Sequence, residues 1–250
     1  SFPALADEAA HSDLTKFKQT LAKSLSQIFF FALPASILVL VLRIPLVRLA
    51  FGARTFPWEA TLLTGRSLAF LALSIAPLAV TQVLVRAFHA LKDTRRPLYV
   101  GALTMIIFTL SATYTSRSLG YGVLGITAAM SLSNYLDFIF LYLLLRRRIG
   151  SLAIARRLTK MIIASAATAF ALWLPMRLLD QFVFDTTRTL PLIVLTLIVS
   201  LVGFLVYLIF CKILAIEELA DVAALVKKLG NWRRILGESD EVIEPPVSAS

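Results

Sequence analysis

Cysteine is almost missing from this chain. Cys211 is the only one in 250 residues, and it lies in an apolar run. That excludes a disulfide within the chain and any CxxC metal pattern. Histidine is nearly as scarce. His11 and His89 stand far apart and each is alone, so no metal ligation is expected. Acids are few: 15 Asp and Glu against 25 Lys and Arg, with only 16% of residues charged, where a soluble domain carries about a quarter. There is no nucleophile elbow, no HExxH and no phosphate-cradling glycine loop. No catalytic constellation and no cofactor site is therefore expected. An intramembrane enzyme would need facing acids, histidines or a Ser–Lys pair, and Asp137 is the one acid placed near the middle of an apolar run.

What the chain has instead is apolar length. It is 58% hydrophobic, and runs of 18 or more nearly uncharged residues recur, enough to cross a bilayer. The chain begins at Ser1 and reads as one cut inside a larger protein. Residues 1–26 read as the end of an earlier helix followed by a basic stretch. In that stretch Leu14, Phe17, Leu21 and Leu25 keep helical spacing, as in an interfacial helix or the lead-in to the next span. Six spans follow, over about 27–50, 60–91, 98–115, 123–145, 161–179 and 190–211. Residues 27–148 form a four-span block, 149–211 add two more spans, and 212–250 form an amphipathic helix and a disordered tail. The predicted fold is an all-α, polytopic membrane helix bundle. Pro34, Pro77 and Pro175 lie inside or near the ends of spans. Each is either a static kink or a flexion point.

The basic residues set an orientation. Seventeen lie in loops on one side, among them Lys92, Arg95, Arg96, Arg146, Arg147 and Arg148, and four on the other, Arg54, Arg117, Arg177 and Arg188. The positive-inside rule makes the first side cytoplasmic, with both ends of the chain there. The net charge of +10 is thereby explained without nucleic acid, for which no basic–aromatic platform exists. Arg43, Arg48, Arg66 and Arg86 fall in the spans. Arg43 and Arg48 read mostly as interface anchors.

Polar groups inside spans are the candidate binding residues, because a charge there costs roughly 2.5–3.5 kcal/mol on insertion scales. Asp137 lies midway along the fourth span, with Asn134 one turn away on the same face. They read either as a cavity wall meeting substrate or a coupling cation, or as an interhelical hydrogen bond with Asp137 paired to an arginine. Arg66 suits a phosphate or pyrophosphate, or simply snorkels. Gln82 reads as a cavity residue or as a link between helices.

The segment R-A-F-H-A-L-K-D-T-R-R-P, Arg86–Pro97, resembles the hinge R-A-F-Y-A-x-x-D-T-x-T-P of the MurJ/MviN family, the lipid II flippases of bacterial cell-wall synthesis. S-F-P-A-L-A-D-E-A-A at the start, A-L-P-A at Ala32–Ala35, L-A-F-G-A-R-T-F and G-I-T-A-A-M-S-L-S-N at Gly125–Asn134 resemble further family segments in the same order. The resemblance covers Ser1 to about Arg148. His89 stands where the family has Tyr and Arg96 where it has Thr, and the third span carries Ser111 and Thr115 rather than an Asn and an acid.

The resemblance implies the C-terminal portion of a fourteen-helix flippase fold of the multidrug/oligosaccharidyl-lipid/polysaccharide exporter superfamily, in a bacterial inner (plasma) membrane. It implies transfer of lipid II, or a similar lipid-linked diphosphate, from the inner to the outer leaflet by alternating access, together with N-terminal helices of the same protein. On this reading Arg66, Gln82, Asn134 and Asp137 are the candidate substrate residues. A related polysaccharide-lipid or drug exporter and a non-transporting membrane scaffold are the other readings.

Overall fold

The computed structural model describes residues 14–52, 56–152, 154–182 and 189–220. Among the described residues there is no strand, and eight α-helices follow one another along the chain. They are α1 Leu14–Val41, α2 Arg43–Phe51, α3 Trp58–Leu73, α4 Ile75–Ala90, α5 Arg95–Thr113, α6 Val123–Ile149, α7 Ala155–Phe182 and α8 Thr189–Ile213. The chain is an α-helical membrane protein. Five stretches among the described residues are long and apolar enough to cross a bilayer: α1, α3 with α4, α5 with the turn after it, α6 and most of α8. The expected fifth span lies in α7, a 28-residue helix whose side chains beyond Leu172 are outside the described residues. The expected helix end at 1–10 and nearly all of the tail helix and acidic tail are outside them as well.

The basic stretch before the first span is not a separate surface helix. It is the beginning of α1, which runs unbroken for 28 residues. Phe17, Leu21 and Leu25 are fully buried there, in one core with Ile149 at the end of α6, Leu152 and Ile154 of the α6–α7 connection, and Met161 of α7. Their helical spacing thus buries a face against protein rather than against lipid headgroups. α1 packs on α3, α4, α7 and α8, and α6 packs on α3, α4 and α5. These two helices are the struts of the bundle. A second, smaller core joins Leu42, Leu172, Leu195 and Val199 where α1 meets α2.

The outer faces carry large apolar side chains. Leu98, Tyr99, Met105 and Leu110 on α5, and Leu197, Leu201 and Ile213 on α8, are all more than 60% exposed. In water such patches would drive aggregation; against acyl chains they are the matched surface. The expected anchors at one rim take definite shape. The Arg48 guanidinium lies 5.7 Å from the Trp58 ring centroid, and Phe51 stacks on Phe56 at 4.9 Å. Arg43 turns back to donate to the Leu40 carbonyl at 2.9 Å.

Two prolines sit inside spans with different results. At Pro34 the helix continues. At Pro77 the expected second span divides into α3 and α4 around Ser74. After α5 the helix widens to a π-type turn over Tyr114–Ser118, which brings its backbone against the start of α6. A Cβ at Gly125 would stand 2.8 Å from the Thr115 carbonyl carbon, closer than packed atoms allow. Gly125→Ala should therefore destabilise the bundle by about 1–3 kcal/mol, read as a lowered Tm in detergent. Gly101→Ala, with open space at its Cβ, should leave Tm unchanged or slightly higher.

Candidate functional site

The basic hinge closes α4 with a left-handed residue. Lys92 has φ 56°; its N–H donates to the His89 carbonyl, and the Asp93 N–H to the Phe88 carbonyl, both at 2.9 Å. This pair of bonds is the Schellman termination, with lysine where glycine is usual. Asp93 then organises the turn. Its carboxylate accepts from the Arg96 N–H at 3.3 Å, and pairs with Arg148 at 2.6 Å and with Arg96 Nε at 3.3 Å. Arg148 also donates to the Leu91 carbonyl at 3.1 Å. One acid thus ties the α4–α5 turn to the end of α6, among cations that would otherwise repel.

Below this turn α4, α5 and α6 enclose a groove of about 540 Å³. Gln82 and His89 line it from α4, Arg95 and Gly101 from α5, and Asp137 from α6. Two of the four expected residues, Gln82 and Asp137, therefore meet. Asp137 has no cation at ion-pair distance among the described residues, so the expected arginine partner is absent. Its interhelical contact is Thr104, whose Oγ1 lies 3.4 Å from Oδ1. That is long for an O–H···O bond, and the same hydroxyl lies 3.0 Å from the Val100 carbonyl. The carboxylate keeps most of its acceptor capacity. The Thr81 hydroxyl, also on the groove wall, is buried without a hydrogen-bond partner.

Asn134 is half-buried one turn away on α6 and does not line the groove. Arg66 is exposed on α3, beyond the break at Ser74, and does not reach it either. Sequence reasoning missed Thr104 and Ser133, which join α5 to α6: the Ser133 hydroxyl donates to the Thr104 carbonyl at 2.9 Å. The hinge cations read from sequence as setting topology, with contact to anionic head groups as the alternative; in the structure His89 and Arg95 form one end of the groove.

A family model described as "Lipid II flippase MurJ" matches residues 1–195. The chain belongs to the MurJ family. A probable lipid II flippase MurJ of Thermotoga maritima is 28% identical over 210 residues, covering 82% of this chain and 40% of that protein. One of Rhizobium meliloti is 26% identical over 193 residues, covering 76% and 35%. The chain thus spans about two fifths of the length of these MurJ relatives. A solved structure of lipid II flippase MurJ in an inward closed conformation aligns with a TM-score of 0.68 at 22% identity, covering 84% of this chain and 41% of that one; it bears out the helical membrane fold. The family match reaches past Arg148, where the motif resemblance faded, and takes in all of α7.

Asp93→Ala should cost about 1 kcal/mol, because Asp93 is largely covered while Arg148 is partly exposed. The Tm deficit relative to the parent chain should shrink in high salt as the basic residues are screened.

Proposed function

We propose that the chain forms one wall of the transport path of a lipid II flippase, which carries the lipid-linked peptidoglycan precursor from the inner to the outer leaflet by alternating access. Family membership and the groove that joins Gln82 to Asp137 support this reading; the groove is the observation that gives it residues. A polar headgroup cannot cross roughly 30 Å of hydrocarbon unaided, so it needs a polar track between helices. Arg95 and His89 stand at the hinge end, where a diphosphate would enter. Asp137 and Gln82 lie deeper, with free acceptors for the hydroxyl and amide donors of a sugar–peptide head.

Further elements follow from the same reading. The hinge end, with its arginines and lysines, faces the cytoplasm of a bacterial inner membrane. Six spans belong to this portion, and helices beyond the matched two fifths supply the opposite wall. Arg66, exposed on the other half of the kinked span, and Asn134 meet the cargo from outside the groove. The work done is translocation, with no covalent step.

A second reading has one observation in its favour. Among the described residues Asp137 has no positive partner, which leaves it open to a coupling cation instead of the headgroup. The two readings differ at Asp137→Asn, which keeps a hydrogen-bonding oxygen and loses the charge. In a full-length flippase carrying this sequence, Asp137→Ala and Gln82→Ala should lower lipid II flipping about tenfold or more and weaken rescue of a flippase-depleted strain. Asp137→Asn should retain much of the activity if it meets the headgroup and little if it holds a cation. Full rescue by Asp137→Ala would remove the groove from the transport path.

A further inference from the structure

Two prolines and two tyrosines form the same bond in two places. Proline lacks the N–H that would reach the carbonyl four residues back. For Pro34 that carbonyl belongs to Phe30, and the Tyr207 hydroxyl on α8 donates to it at 2.9 Å. For Pro77 it belongs to Leu73, and the Tyr135 hydroxyl on α6 donates to it at 2.9 Å. Each orphaned acceptor is met by a phenol from a different helix.

The surroundings of the two bonds differ. Tyr207 is fully buried, and its ring lies 5.5 Å from that of Phe30. Breaking this bond would leave the Phe30 carbonyl without its donor in the buried interior. Helix α1 passes through Pro34 without interruption. Tyr135 is 40% exposed and Leu73 43%, so this bond lies at the bundle's surface, with space beside it for the two residues to part. Here the helix is already divided: Ser74 donates its N–H to Leu71 at 3.0 Å, one residue short of the α-helical span. Its hydroxyl caps the same carbonyl at 2.9 Å.

We propose that the Pro77 break is a working hinge in the middle of its span, latched by the Tyr135 hydroxyl, and that the Pro34 kink is a fixed joint locked by Tyr207. Helix α6 packs on both α3 and α4, so its tyrosine holds the two halves in one relative orientation. When the hydroxyl releases Leu73, α4 is free to swing against α3; when Tyr207 is lost, nothing swings and the core weakens. The inference goes beyond the transport reading and stands on the two bonds whichever cargo is carried.

The test uses the chain in lipid nanodiscs, with spin labels replacing the exposed Leu63 on α3 and Arg86 on α4. Tyr135→Phe should broaden or shift the inter-label distance distribution while Tm moves by no more than about 2 °C. Tyr207→Phe should lower Tm by about 5 °C and leave the distribution unchanged. Pro77→Ala restores an N–H donor for Leu73, so Tyr135→Phe on that background should no longer alter the distribution. The proposal is overturned if Tyr135→Phe leaves the distances as they were, if Tyr207→Phe broadens them equally, or if the effect of Tyr135→Phe persists with Pro77→Ala.

Discussion

A carbonyl released by a proline inside a bilayer has no water to turn to. That constraint shapes this bundle more than any single side-chain contact. It makes the chain helical throughout its apolar runs, since only a helix satisfies its own backbone there. It also makes each internal proline a demand for a donor from elsewhere, and two tyrosines on two other helices meet that demand. The ends obey the same rule with local means. Lys92 and Ala215 both take left-handed conformations, and each turn returns two N–H groups to the last carbonyls of its helix. Serine and threonine hydroxyls within the spans mostly bond back to carbonyls three or four residues earlier, which keeps their polarity off the lipid face.

Charge is handled by concentration at one end rather than by burial. The described cations of that end begin α1, α5 and α7 and finish α6 and α8, and a few acids lie among them. Asp93 serves Arg148 and Arg96; Glu217 and Glu218 serve Arg157 at the start of α7. Asp137 departs from this pattern. It stands in mid-span, faces a groove, and among the described residues holds only a long contact to Thr104. A carboxylate left that open in a membrane helix is costly to maintain, which is why the transport reading centres on it.

The helical class, the membrane setting and the family were legible from Arg86–Pro97 and the apolar runs, because those signals are local. Pro77 as a break was legible for the same reason. The rest depended on contacts far apart in sequence. No period in the chain points Tyr207 at Phe30 across 177 residues, or Tyr135 at Leu73 across 62. The start of α1 had the spacing of an amphipathic helix, yet spacing cannot say whether the apolar face meets lipid or the α6–α7 connection. Gln82 and Asp137 could be singled out as polar in apolar runs. Their meeting in one groove with His89 and Arg95 required the turn at Lys92 to fold α5 back beside α4. Arg66 looked equivalent to them by residue type alone and lies on α3, across the break at Ser74 from the groove.

That break also has a mechanical side. Helix α4 has 16 residues, so it is a rod of about 24 Å from Ser74 to its tip. A swing of only 10° would displace the tip by about 4 Å, more than the diameter of a water molecule and close to the width of an acyl chain. The tip is where His89 stands and where Asp93 grips Arg148. A small rotation at mid-membrane is thus geared into a wide opening at the basic rim, and the ion pair at the end of the lever sits where the least force is needed to resist it.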